Sequence, residues 1–170
     1  MDRAKSLFKT EIIDHVKDVY DIIFIDCPPT LDPIVEAALE AATGFLVPVS
    51  PRKLDWGATT LYFEQLPQIV ENLPSRGKNL QWFKVLLNNV EHEFGRDSHM
   101  VAHIQNTLSA ENLMLKTIDR SPAFEVAAQQ FRTVIDIRPK DGLVAPQQLQ
   151  NAKSSLMNVS RELVSILKQQ

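Results

Sequence analysis

The sequence predicts a single α/β domain, a mostly parallel sheet flanked by helices. Short apolar runs rich in β-branched and aromatic residues, Ile22–Ile25 and Phe45–Val49 among them, alternate with stretches of helical periodicity. Those runs are unbroken rather than alternating, as strands covered on both faces are. Proline, glycine or a polar cluster punctuates each change of period. Strands alternating with helices imply right-handed crossovers, which put the working loops at the C-terminal ends of the strands.

A leading helical segment occupies residues 1–19, with Leu7, Ile12, Ile13 and Val16 near helical spacing. The core spans 20–137. Its first strand is Ile22-Ile23-Phe24-Ile25, stopped by Pro28-Pro29 because proline has no amide for a ladder. A helix over 33–42 sets Ile34, Ala37, Ala38 and Ala41 on one side, and Gly44 punctuates before the second strand at 45–49. A helix over 57–72 follows, turning Leu61, Tyr62, Leu66, Ile69 and Leu73 inward, and closes at Pro74-Ser75-Arg76-Gly77. Residues 82–87 make a third strand, and a charged loop at 91–98 leads to a helix at 99–109. Leu113–Ile118 is a short fourth strand and Thr133–Ile137 a fifth. Over 146–168, Leu149, Ala152, Leu156, Val159, Leu163 and Ile166 recur at steps of three and four, the pattern of an amphipathic helix packed on a core.

The 170 residues suit one domain, and a 44% hydrophobic content supplies its core. No apolar run reaches membrane-spanning length, and the first residues lack the apolar stretch of a secretory signal, so a cytosolic protein is expected. The single cysteine, Cys27, excludes an internal disulfide and a thiolate metal knuckle. Charge is uneven: residues 1–115 hold 10 Lys/Arg against 16 Asp/Glu, and 116–170 hold 8 against 5. That basic surplus is compatible with contact to a polyanion, yet far below the stripe of a dedicated DNA-binding module.

The most informative stretch is Tyr20-Asp21-Ile22-Ile23-Phe24-Ile25-Asp26-Cys27-Pro28-Pro29-Thr30. An aspartate directly after four apolar residues stands at a strand's C-terminal mouth, where a carboxylate can hold the water shell of Mg²⁺ beside a nucleotide phosphate. Aspartate is also a common strand-ending and capping residue. The whole string resembles the Walker B segment of the ParA/MinD/Soj deviant P-loop ATPases, with Asp26 as the Mg²⁺-water carboxylate and Pro28 beside it on the nucleotide side. Leu31-Asp32-Pro33, Ala41-Ala42-Thr43, Phe45–Val49 and Leu54-Asp55-Trp56 continue the resemblance, in particular to the plasmid partition branch, and it runs from about residue 20 to the C-terminus.

By the same resemblance, Val85-Leu86-Leu87-Asn88-Asn89 ends a strand where relatives contact adenine. Asn88 is the first choice there, since a carboxamide both donates and accepts. Thr117-Ile118-Asp119-Arg120 through Phe124-Glu125 resembles a loop that usually reads Pro-Arg near the base and the dimer interface. Here Asp119 stands in place of a rigid ring, and Arg120 lines the pocket or an interface, or forms a surface ion pair. Arg132, Arg138, Lys140, Lys153, Arg161 and Lys168 match the C-terminal basic residues that meet DNA without sequence preference in the family, or are a solvated helix face.

The resemblance implies an ATP- and Mg²⁺-dependent DNA-segregation protein of the bacterial cytoplasm and nucleoid, acting as a homodimer or with another ParA-like chain, with a ParB-like centromere-binding partner and no membrane. Yet the family's phosphate loop has no counterpart in this sequence: Gly44, Gly57, Gly77, Gly95 and Gly142 are isolated, and no Gly-Lys-Ser or Gly-Lys-Thr occurs. The expectation is a truncated chain, an excised domain or a degenerate relative, holding part of a P-loop fold without its first strand or phosphate loop. Such a chain would bind nucleotide weakly and hydrolyse none alone. The alternative is a non-enzymatic dimerisation, DNA-binding or partner-binding module that modulates a full-length relative. Without the first strand, the edge of residues 22–25 is left open to self-association.

His99 and His103 are four apart, with Glu91, Glu93 and Asp97 near, but no third fixed ligand follows and the HExxH glutamate is absent. Asp97-Ser98-His99 has the composition of a triad without a nucleophile elbow, and reads as solvated loop.

Overall fold

The computed structural model describes residues 8–28, 30, 32–52, 80–91 and 98–169. The helix expected over 57–72, the Leu54-Asp55-Trp56 segment, Pro29, Leu31 and the charged residues 92–97 lie outside them. The chain divides into two compact units, one of Met1–Phe45 with Gly57–Phe83 and one of Leu46–Trp56 with Lys84–Gln170.

The first unit opens with a helical segment that begins as a π-turn, Lys9–Ile13, and continues as a single α-turn, Asp14–Val16. The Lys17–Asp14 ion pair, 3.0 Å, is exposed and adds little. Helix α1, Pro33–Ala41, starts at Asp32, whose carboxylate accepts from the amides of Ile34 at 2.9 Å and Val35 at 3.1 Å. Pro33 at the first helical position needs no amide partner. The buried residues of α1 are Val35, Ala37, Ala38 and Leu39, while Ile34 is 68% exposed. The face expected from Ile34 is therefore rotated, and the inward stripe runs through Val35, Ala38 and Leu39.

Among the described residues, three strands form one parallel sheet in the order β1 (Gly44–Val49), β2 (Trp82–Val90) and β3 (Ile118–Asp119). Central β2 buries Val85, Leu86, Leu87 and Val90, the pattern of a strand covered on both sides. In β1, Val47 and Val49 are buried and Pro48 points out, as suits a strand that ends the sheet. The expected fourth strand is shorter than its sequence suggests. Leu113 makes one bridge to Val85, and the chain rejoins the ladder only at Ile118.

Two expected strands do not form. Residues 22–28 belong to no helix or strand and have no ladder partner among the described residues, and Ile22, Ile23 and Phe24 are 46%, 37% and 75% exposed. An extended segment becomes a strand only when a neighbour takes up its amides and carbonyls. At 133–137 the Asp136 carboxylate accepts from the Thr133 amide and hydroxyl, and the Asp136 amide donates back to the Thr133 carbonyl. This local bonding folds the segment into a turn, which buries Val134 and Ile137 at turn spacing.

The remaining helices belong to the second unit: α2 (Ser98–Thr107), α3 (Pro122–Gln129) and α4 (Pro146–Leu167). Helix α3 begins inside the stretch read as loop and continues over residues given no element, although Ser121 caps it through the Ala123 amide and Pro122 occupies its first turn. It ends on Phe131 in the left-handed conformation, φ 51°, with the Arg132 amide returning to the Ala127 carbonyl. Helix α4 buries the predicted stripe. Leu149 and Ala152 close one cluster with Ala123, Ala127, Val134 and Ile137, and Val159 closes another with Leu86 and Met114, flanked by Leu163 and Ile166.

Candidate functional site

In the first unit, Asp26 ends the unpaired stretch, exposed to solvent, with Pro28 exposed two residues on. Cys27 between them is half-buried and donates weakly to the Ile25 carbonyl. Burial pushes its thiol pKa up from the ordinary 9.0, and the Asp26 and Asp32 carboxylates push it further. Asp32 titrates below its ordinary 3.8, because the Val35 amide and then the Thr30 hydroxyl stabilise its anion. Asp32 is thus a helix cap, and Asp26 is the carboxylate left facing water.

The second unit brings Asn88, Asp119 and Arg120 together. Asn88 pairs with Ile118 and Val90 with Asp119, so β2 carries one extra residue, Asn89, at the crossing. Asn89 adopts φ 60°, a left-handed conformation that asparagine tolerates better than most residues. The Arg120 amide donates to the Val90 carbonyl at 2.8 Å, and its guanidinium meets Glu91 at 3.4 Å in a half-exposed ion pair. Asp119 accepts from the Thr117 hydroxyl at 3.2 Å. The bulge was not read from the sequence, although an Asn-Asn pair closing an apolar strand is the residue signal for it.

Several of the basic candidates hold their own unit together. Lys153 donates to the carbonyls of Ile135 at 2.9 Å and Ile137 at 2.6 Å. Arg132 pairs with Asp141 at 3.2 Å and donates to the Asp136 carbonyl. Arg161 donates to Asn158 at 3.3 Å, while Arg138, Lys140 and Lys168 are exposed. Hydrogen bonds from Thr133 hold Asp136 below its ordinary 3.8, and one from the Arg138 amide does the same for Asp141.

A Mg²⁺–nucleotide makes two demands on a protein, a carboxylate for the metal's water shell and closely spaced amides for the phosphates. Asp26 fits the first. The second is not met among the described residues: Gly44 is covered by the Trp82 indole, and Gly142, φ 67°, closes the 3₁₀ turn Pro139–Asp141. Among those residues, no group of three or more His, Cys, Asp and Glu is placed to hold a metal ion. No described helix is long and apolar enough to cross a membrane.

A family described as an AAA domain matches residues 1–81. A plasmid partition protein A of Escherichia coli is 25% identical over 154 residues, covering 87% of this chain and 37% of that protein. A Rhizobium rhizogenes protein whose name places it in replication is 24% identical across 94% of this chain and 39% of its own length. The chromosome-partitioning ATPase Soj of Treponema pallidum is 29% identical over 72 residues, 42% of this chain. A solved structure of a partition protein superposes with TM-score 0.65 at 21% identity, over 95% of this chain and 40% of that one, a likeness of fold. The chain spans about two fifths of the curated relatives that match it along most of its length.

Proposed function

We propose that this chain belongs with the ParA-type partition proteins and carries the Walker B and base-side portion of a DNA-segregation ATPase. The observation that supports this most is Asp26: an exposed carboxylate closing an apolar segment that leads, through Pro28, to the start of α1 capped by Asp32. In this reading Asp26 holds Mg²⁺ through water, with Pro28 beside it. Asn88 offers its carboxamide to the base, and Asp119 and Arg120 border the same pocket. The bulge at Asn89 sets the register between Asn88 and Asp119. When bound, Mg²⁺ and ATP supply the charge neutralisation and the phosphoryl group that the family uses.

Hydrolysis by these 170 residues alone is not part of the proposal. Amides and a lysine stabilise the transferring phosphoryl group, and the sequence holds no glycine-rich lysine loop to provide them. Partners in this reading are a ParA-like chain and a ParB-like centromere-binding protein, with non-specific DNA reached through Arg138, Lys140 and Lys168.

A second reading, a non-enzymatic module that pairs with a longer relative, is favoured by one observation: Val19, Tyr20, Ile22 and Phe24 are exposed on a segment without a ladder partner among the described residues. ATP turnover by the chain, alone and mixed with the E. coli plasmid partition protein A, separates the two. The first reading, in which the chain lends its residues to a ParA-like partner, expects no turnover alone and a rate in the mixture that holds or rises; the second expects the mixture to slow as the chain is added. Robust turnover by the chain alone contradicts both.

A further inference from the structure

In the first unit, the run Val19-Tyr20-Asp21-Ile22-Ile23-Phe24-Ile25-Asp26 has the β-branched and aromatic composition of a strand. It has no neighbour to make it one. Among the described residues, no backbone hydrogen bond joins residues 21–26 to another segment. The side chains are no better covered, with Val19 71%, Tyr20 61% and Phe24 75% exposed, and Ile22 and Ile23 also in solvent. Exposed apolar side chains scattered singly are ordinary, whereas five within residues 19–24 form a continuous patch. Open backbone groups along such a patch are what a strand from another chain adds to.

Charge decides what kind of strand fits. Residues 8–41 hold two lysines, Lys9 and Lys17, against eight carboxylates, and Lys17 is paired with Asp14 at 3.0 Å. Asp21 and Asp26 bracket the apolar run, both exposed, and neither makes an ion pair among the described residues. A second copy of this chain is therefore a poor occupant. Antiparallel pairing centred on Ile23 and Phe24 sets Asp21 across from Asp26 at both ends, and parallel pairing in register sets each aspartate beside its twin. Like charges directly opposite destabilise a ladder, and opposite charges support it. The occupant that fits is an apolar strand with a cation at each end.

We propose that residues 19–26 dock, by strand pairing, a segment of another protein whose apolar core is flanked on both sides by lysine or arginine. This rests on the second reading, in which the chain pairs with another protein through this segment, and adds the chemistry of what it pairs with. In that reading Asp26 faces the partner's cation in place of Mg²⁺.

The test is amide-shift titration of the whole chain with three synthetic peptides. One has alternating valine and threonine flanked at each end by lysines, one has the same core flanked by glutamates, and one is the lysine peptide with alternate core amides N-methylated. The proposal expects the lysine peptide to saturate with shifts at 19–26, the glutamate peptide to bind at least about tenfold more weakly, and the methylated peptide to lose binding. D21N should weaken the lysine peptide by about twofold to fivefold. Equal binding of lysine and glutamate peptides at 19–26 overturns the proposal and leaves the pairing reading standing, whereas no shift at 19–26 with any peptide overturns both. Undiminished binding of the methylated peptide shows charge without strand pairing and overturns it too. Shifts of the same amides with protein concentration alone make a second copy the occupant, against the proposal.

Discussion

Replacing Glu162 by alanine tests how the second unit holds the arm between Met114 and β3. The chain leaves the sheet after Leu113, and the Glu162 carboxylate takes the next two amides, Leu115 at 2.7 Å and Lys116 at 2.8 Å, across 47 and 46 residues of sequence. Both are short, as bonds to a charged acceptor are. Bonds of that kind contribute about 1.5–3 kcal/mol each when shielded. This carboxylate is only partly shielded, so about 1 kcal/mol each is the fitting scale, and E162A should cost about 2 kcal/mol in all. E162Q keeps one acceptor oxygen and turns an NH₂ toward the other amide, so it should recover less than half of that loss. With a urea slope of about 1–3 kcal/mol per M, the E162A midpoint falls by roughly 1 M. Amide exchange locates the effect: Leu115 and Lys116 lose protection, while Val85 and Leu86 in β2 keep theirs. Unchanged exchange at both arm amides, with an unmoved midpoint, would refute the reasoning.

Three further outcomes follow from named contacts. Gly44→Ala places a Cβ on the Trp82 indole, whose Nε1 is buried without a hydrogen-bond partner among the described residues. It should destabilise the chain by about 1–3 kcal/mol, read as a lowered Tm with a shift in tryptophan emission. Phe131→Gly removes a ring that is 99% exposed and relieves a left-handed backbone, so it should stabilise by about 0.5–1 kcal/mol in urea titration. Asp136 and Asp141 titrate below their ordinary 3.8, so the stability they lend the 132–142 loop is present above that value and is lost as pH falls through their lower folded values. Protection of the Thr133 and Arg138 amides should therefore hold at pH 5 and drop only in stronger acid.

How much could be read beforehand depends on how local each cause is. The α4 stripe from Leu149 to Ile166 was legible because one periodicity over 22 residues is an intrinsic signal. Helix α1 was legible from its composition, and Ala37 and Ala38 are buried as expected, but Val35 and Leu39 take the inward positions and Ile34 is exposed, because the buried face is set by what the helix packs against. Residues 133–137 have strand-forming side chains and still form a turn, since the Asp136–Thr133 bonds are closer at hand than any ladder. The 22–25 segment shows the other limit: its composition is that of a strand, and a strand is a property of two segments.

In the site, Asp26 stood out at the end of an apolar run, but its role and the choice of Asn88 came from the family resemblance. The bulge at Asn89 was missed although the Asn-Asn pair marks it, whereas the bonding of Lys153 to two carbonyls depends on residues distant in sequence, and no pattern along the chain announces it.

The most direct test of the account is calorimetric titration of Mg²⁺–ATP into this chain and into Asp26→Asn. A lone metal-facing carboxylate without a phosphate cradle predicts that neither protein binds in the micromolar range. Micromolar binding by the chain, lost in D26N, would show that these residues hold a triphosphate after all and would contradict it.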